Sequence, residues 1–281
     1  MRTVTTITEV RAVLDGVRRQ GNTVGLVPTM GALHAGHASL MDRAADECDV
    51  VTASLFVNPL QFTPEEDLAS YPQDPAGDAQ LAEDHGVDVL FRPAVAEMFG
   101  EAPLTTVSVA ELTDRFEGAS RPTHFAGVTT VVCKLCNIAG PCRAYFGEKD
   151  WQQLVVVTRM IRDLSFPVDV VGCATVREPD GLALSSRNTY LGAEARAAAP
   201  VIRRSLQAGA DSLADGERDG ARVRALMVAL IEVEPLARLD YVDVVRADDL
   251  VPVERLHGEL RLLAAVRFGP TRLIDNLGVT V

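Results

Sequence analysis

Apolar, β-branched runs and helix-like stretches take turns along the chain up to residue 175. TVGLV (23–27) reads as a buried strand, and a loop leads from it into the helical stretch HASLMDRAADEC. VVTASLFV (50–57), VDVLF (87–91), TTVSV (105–109), RAYFG (143–147) and VDVVGC (168–173) read as further strands. Between them DAQLAEDHG, GVTTVVCKLCNIAG and DWQQLVVVTRMIRDL carry helical periodicity. This alternation predicts an α/β fold with a doubly wound parallel sheet, whose ligands bind at the carboxyl ends of the strands.

The pattern changes after the polar turn REPDGLALSSRN. An Ala- and Arg-rich stretch, GAEARAAAPVIRRSLQAGADSLADG, and then ARVRALMVALIEVE predict two helices. LDYVDVVR, ELRLLAAVR and TRLIDNLGV follow as three short strands. Helices and then strands imply a smaller α+β domain. The expected division is residues 1–175 and 176–281.

Composition narrows the class of protein. The 281 residues are 47% apolar and 23% charged, which suits a globular chain with a real core. A net charge of -12 argues against nucleic acid or an acidic membrane as partner, because either calls for a basic footprint. No apolar run approaches the roughly 18 residues of a membrane span. The N-terminal MRTVTTITEVRAVLDGVRRQ mixes charge throughout, unlike a secretory signal, so a cytoplasmic location is expected. Five cysteines argue against a disulfide framework. Cys133 and Cys136 form a C-x-x-C with Cys142 close by, but a closed zinc site needs a fourth ligand. Both lie in an apolar run and read as buried thiols.

Chemistry concentrates in VPTMGALHAGH (27–37), directly after the first strand and opening a helix. Gly31 and Gly36 let backbone approach a phosphate, and the helix start supplies N–H donors. His34 and His37 stand three apart, on one face of a helical turn. Two imidazoles there can carry hydrogen bonds and charge to a polyphosphate, or can simply cap the helix. Asn58 and Gln61 follow the second strand and offer amides to the same crevice, or cap its loop. Gly147, Glu148, Lys149 and Asp150 follow RAYFG: the glycine permits a turn, Lys149 can reach a phosphate, and Asp150 can meet a ribose or cap a helix. Trp151 and Gln152 read as packing and surface positions. Ser185, Ser186 and Arg187 join two hydroxyls and a guanidinium in one loop that can grip pyrophosphate or serve as a polar hinge. Arg121 is a loop arginine. Asp74 and Asp78 are the local carboxylates suited to steering Mg²⁺ or to capping a helix start.

The H-x-G-H pattern resembles the signature of the nucleotidyltransferase and class I aminoacyl-tRNA synthetase superfamily, which covers many reactions. The longer VPTMGALHAGH is similar to one family within it, the pantothenate synthetases, or pantoate–β-alanine ligases. SLFVNPLQF (54–62), RPTHFAGV (121–128), AYFGEKDWQQL (144–154) and REPDGLALSSRN (177–188) match in the same order. The resemblance implies a Rossmann-like first domain that binds ATP and pantoate, and a smaller C-terminal domain closing over the site. It implies two steps: pantoate is adenylated by ATP with loss of pyrophosphate, and β-alanine then displaces AMP to give pantothenate. Met30, Gly31, Ala32, Leu33, His34, His37, Gly147, Glu148, Lys149, Asp150, Val176, Leu184, Ser185, Ser186 and Arg187 would line ATP, with the Val176 backbone at the adenine. His34, His37, Lys149 and Arg187 would be catalytic. Gln61 and Gln153, with Asn58 and Arg121, would hold the substrates. Mg²⁺ and a homodimer are also implied. The chain departs from the family pattern at Thr123, Cys136, Cys142 and Leu184, none of which removes a phosphate-facing group. A related enzyme transferring a nucleotide to a phosphorylated acceptor would want cations in place of Gln61 and Gln153.

Overall fold

The computed structural model describes residues 1–62, 68, 71–101 and 103–281. They fall into two compact units, Met1–Glu148 with Gln152–Ala174, and Lys149–Trp151 with Thr175–Val281.

In chain order the first unit begins with β1 (Arg2–Val4), α1 (Ile7–Arg19), β2 (Val24–Thr29), α2 (Ala35–Glu47), β3 (Val50–Leu55), α3 (Pro75–Asp84) and β4 (Val89–Phe91). The short α4 (Val95–Phe99) and α5 (Glu117–Ser120) precede α6 (His124–Ala139), β5 (Cys142–Gly147), α7 (Trp151–Asp163) and β6 (Val168–Cys173). The six strands form one sheet in the order β1-β4-β3-β2-β5-β6, and every pairing is parallel. Its faces are covered on both sides, which explains the nearly unbroken apolar runs. Val27, Val51, Ala53, Leu55, Leu90 and Tyr145 pack with Leu40, Met41 and Ala44 of α2. Leu26, Thr52, Ser54 and Phe91 instead meet Val10 and Leu14 of α1 and Leu135 and Ile138 of α6. Residues alternating along each strand thus serve opposite faces.

Several elements depart from the sequence reading, among them the Ala- and Arg-rich stretch, which forms two helices broken at Pro200 where one was expected. TTVSV (105–109) is irregular. Its backbone is claimed by side chains of α6: Thr130 Oγ1 accepts from Val107 N at 3.0 Å, and Thr129 Oγ1 donates to Val107 O at 2.6 Å. Those groups are therefore engaged away from any ladder. Conversely, the N-terminal stretch supplies a strand and a helix. Thr6 and Glu9 form a capping box, with Glu9 N donating to Thr6 Oγ1 at 3.2 Å and Thr6 N to Glu9 at 3.1 Å. The Thr6 hydroxyl and the neighbouring amides hold the Glu9 carboxyl below its usual range.

The second unit holds α8 (Ala193–Ala198), α9 (Val201–Ala214), α10 (Gly220–Glu232), β7 (Ala237–Arg246), β8 (Glu259–Phe268) and β9 (Thr271–Thr280). The strands make an antiparallel sheet in chain order. Ile202, Leu206 and Leu213 of α9 and Val223, Met227 and Ile231 of α10 pack on Val242, Val244, Leu262, Ala264 and Val266. Each fully buried aliphatic side chain contributes about 1.5–3 kcal/mol. No helix among the described residues is long and apolar enough to cross a membrane.

Candidate active site

Strands β3, β2 and β5 lie side by side at the centre of the parallel sheet. From β2 the chain runs outward through β3, whereas β5 and β6 are laid down on its other side, so the strand order reverses between β2 and β5. Loops at the carboxyl ends flanking such a reversal are where open α/β sheets bind ligands. The loops after β2, β3 and β5 carry most of the residues singled out from the sequence.

The loop after β2 is shaped by two left-handed residues, Gly31 at φ 88° and Ala32 at φ 51°. A side chain at Gly31 would put its Cβ 2.9 Å from Asp78 Oδ2, so glycine is required both by conformation and by room. Ala32 has no such freedom, and its conformation costs about 1–2 kcal/mol. Asp78, buried in the first turn of α3, offsets that cost. Its carboxylate accepts Ala32 N at 3.0 Å and Leu33 N at 2.7 Å, and hydrogen bonds to a charged group contribute about 1.5–3 kcal/mol each. These two amides, of residues expected to line ATP, are engaged by the carboxylate.

His34 and His37 form a capping box made of two imidazoles. His34 is the N-cap of α2, its Nδ1 accepting Gly36 N at 3.1 Å, while His37 Nδ1 accepts His34 N at 3.3 Å. Their ring centroids are 4.2 Å apart. An Nδ1 that accepts an N–H carries no proton, so each neutral ring bears its hydrogen on Nε2. The Nδ1 atoms thus fix both rings to the helix start. Capping, one of the two readings open in the sequence, is what this arrangement shows.

Gln61 is buried after β3 and held from several directions. Its Oε1 accepts Asn58 Nδ2 at 3.0 Å, and its Nε2 donates to Met30 Sδ at 2.7 Å. His124 Nδ1 stands 2.9 Å from its main-chain oxygen, which also receives Arg121 Nη2 at 3.4 Å. Asn58, expected to touch substrate, gives its second amide hydrogen to Gly127 O at 3.1 Å and accepts Leu60 N at 3.3 Å. Its side-chain groups are thus engaged internally, one of them on Gln61. Gly127 lets α6 approach this loop: a Cβ there would fall on the Leu60 carbonyl. Neither His124 nor Gly127 was singled out from the sequence, although both lie in RPTHFAGV.

Gly147 closes β5, and Glu148 begins a single 3₁₀ turn. Gln153 is half-buried in the first turn of α7. Gln152 corrects the surface reading. It is 5% exposed, its Oε1 accepting Glu117 N at 3.0 Å and its Nε2 donating to the carbonyls of Leu112 and Arg115 at 2.8 and 2.9 Å. Asp74 is the N-cap of α3, accepting Gly77 N at 3.0 Å.

The remaining candidates belong to the second unit. Lys149 Nζ lies 3.6 Å from Asp150 Oδ1, and Lys149 O accepts Asn276 Nδ2 at 2.9 Å. Residues 176–190 form a bracket: Leu184 N donates to Val176 O at 3.0 Å, and Arg177 bridges to Ala183. Arg177 is anchored by paired bonds of 2.6 and 2.9 Å to the buried Asp275 carboxylate. Ser185 caps the turn Ser186–Tyr190 by accepting Arg187 N at 3.3 Å. Asn188 fastens the turn to Glu178 and to Ala183 O.

The family model for pantoate-beta-alanine ligase matches residues 2–278. Pantothenate synthetases of Heliobacterium modesticaldum and Moorella thermoacetica are 52% and 50% identical, the alignments covering 100% of this chain and 100% and 99% of theirs. The crystal structure of pantothenate synthetase from Thermus thermophilus superposes with a TM-score of 0.95 at 49% identity, covering 100% of both chains. That of Francisella tularensis pantoate-beta-alanine ligase, complexed with beta-gamma ATP and beta-alanine, gives 0.80 at 33% identity over 99% of this chain and 97% of that one. With sequence and fold matched from end to end, the chain belongs to the pantoate-beta-alanine ligase family.

Proposed function

We propose that the protein condenses pantoate with β-alanine at the expense of ATP, through a pantoyl adenylate. A pantoate carboxylate oxygen attacks the α-phosphorus and pyrophosphate leaves. The β-alanine amine then attacks the acyl carbon, AMP departs with the bonding pair, and the amine loses a proton to give pantothenate. The substrates supply both nucleophiles, so the protein's share is proximity and electrostatic preorganisation. The observation that carries the reading is the His34–His37 box in the loop after β2, with the buried Gln61 in the loop after the neighbouring strand β3. The ATP and β-alanine complex of the Francisella relative supports the same co-substrates here.

In this mechanism the two Nε2–H groups meet the α- and β-phosphates as negative charge grows on them, and His37 can also pass a proton to the departing oxygen. Lys149, Ser185, Ser186 and Arg187 grip the phosphates, Asp150 meets the ribose and the Val176 backbone meets adenine. Met30, Gly31, Ala32, Leu33, Gly147, Glu148 and Leu184 line the nucleotide. Gln61 and Gln153 orient pantoate, with Arg121 beside them. Residues from 1 to 175 carry pantoate, most of the nucleotide contacts and Lys149, and the remainder of the chain supplies Ser185, Ser186 and Arg187.

Magnesium would enter with ATP. The two carboxylates expected to receive it are already engaged in the fold: both Asp78 oxygens accept backbone amides, and Asp74 caps α3. Among the described residues no group of three or more His, Cys, Asp or Glu side chains is gathered for a metal. No catalytic step is therefore assigned to a protein-held ion. The family resemblance also supports a cytoplasmic homodimer, which sedimentation would test. The reaction itself is tested by mass spectrometry with ATP, Mg²⁺, pantoate and β-alanine, omitting each in turn. Pantoate-dependent pyrophosphate release, with pantothenate appearing only when β-alanine is added, is the expected result. Release independent of pantoate would refute it.

A further inference from the structure

Asp78 stands out as a buried carboxylate that the reaction itself does not use. It is 5% exposed and sits in the first turn of α3, yet it is not the cap of that helix: Asp74 fills that place. Its two oxygens reach instead into the loop after β2, one to Ala32 N and the other to Leu33 N. Consecutive amides turned to one side by left-handed residues make a small anion-binding concavity, here built by Gly31 and Ala32. The carboxylate fills that concavity, and the space left by the missing side chain of Gly31 is what admits it. One residue further on begins the histidine box.

We infer that Asp78 is a positioning residue for adenylation: its carboxylate fixes the left-handed turn at Gly31 and Ala32 and so sets where His34 and His37 stand, and it does not ligate magnesium. This rests on the proposed role of the two imidazoles at the triphosphate. Both carboxylate oxygens are already turned to backbone amides, and a turn that Ala32 would not adopt on its own depends on that carboxylate. When the turn relaxes, the N-cap of α2 shifts with it. The imidazoles are then misplaced toward the phosphates without being removed.

The test measures pantoate-dependent ATP–pyrophosphate exchange for Asp78→Asn, Asp78→Ala and His34→Ala, each titrated with Mg²⁺. Asp78→Asn keeps the shape and one acceptor while losing the charge and the second acceptor. Its exchange rate should fall about 10- to 100-fold, as misplacement by an ångström does, with magnesium half-saturation unchanged. Amide hydrogen exchange at Ala32 and Leu33 should quicken in the same variant, which reads the turn directly even if the alanine variant fails to fold. A rate equal to the parent's, or a magnesium half-saturation raised about tenfold or more as for a lost ligand, would overturn the inference. His34→Ala separates the two levels. Full exchange in that variant sinks the phosphate reading of the box, whereas its loss alongside parental exchange in Asp78→Asn sinks only the role given to Asp78.

Discussion

Asn276, in β9, donates its side-chain amide to the main-chain carbonyl of Lys149 at 2.9 Å. The same side chain accepts Arg261 Nη1 at 3.0 Å, and the Arg261 guanidinium lies 3.3 Å over the ring of Trp151. Trp151 in turn donates its indole N–H to Ala247 O at 3.0 Å. Residues 149–151 are thus clamped at the backbone and at the indole by side chains of β8 and β9 and by the residue that follows β7.

Asn276→Asp separates the clamp from the packing. It retains an acceptor for Arg261 but sets a carboxylate oxygen against the Lys149 carbonyl. Adenylation should fall about tenfold with a raised KM for ATP, and in a Lys149→Ala background the substitution should cost little more, as expected of two residues acting on one contact. Steady-state kinetics of the four proteins checks this, and additive losses would contradict it.

Gly127→Ala drives a methyl group into the Leu60 carbonyl, which neither helix α6 nor a short loop can easily yield. Overpacking of this kind costs about 1–3 kcal/mol. The loop carrying Gln61 moves, so the KM for pantoate should rise more than that for ATP, together with a lower melting temperature. Equal changes in both KM values would point to general loosening.

His34→Asn and His34→Ala divide capping from catalysis. Asparagine is a good N-cap, so its variant should melt near the parent, while alanine should lose about 1 kcal/mol. Both lack the ring, and both should slow adenylation by about 100-fold or more, the scale of removing one transition-state donor. Calorimetry with exchange kinetics would show the split.

Alkaline stability should depend on Cys142. Burial is the main cause that pushes its thiol from the ordinary 9.0 up to about 12, and burial likewise raises Cys133, Cys136 and Cys173. Above about pH 9 the unfolded chain gives up these protons while the native one keeps them, so stability declines with pH until the native thiol ionises. Urea midpoints at pH 7 and 10 should fall, and Cys142→Ala should fall less. Iodoacetamide should label the native protein slowly at pH 7.

The alternating layout and the second unit were legible because strand runs of β-branched residues and helices of 3.6 periodicity differ in kind. TTVSV carried the same local preference as a strand, and only the hydroxyls of Thr129 and Thr130, distant in sequence, took its backbone out of the sheet. The T-x-x-E of Thr6 and Glu9 was present at the start of α1 but its apolar face is thin, with Val10 and Leu14 alone buried. Within the site, the glycine-flanked histidines announced themselves by spacing. Asp78 was marked as a carboxylate but not for its hold on the loop after β2. Gly127, Gln152 and Asn276 left no mark for their roles, since each acts on a loop far along the chain, and a lone Gly, Gln or Asn has no local pattern.

The bond between Arg177 and Asp275 has a consequence for biogenesis. The hairpin at residues 176–190 leaves the ribosome long before β9 does, and its ionic anchor arrives only with residue 275. A polypeptide still in synthesis therefore carries the complete serine–arginine turn without the strand that pins it. A message truncated inside β8 would yield that same unpinned product permanently, together with an arginine whose carboxylate partner was never made.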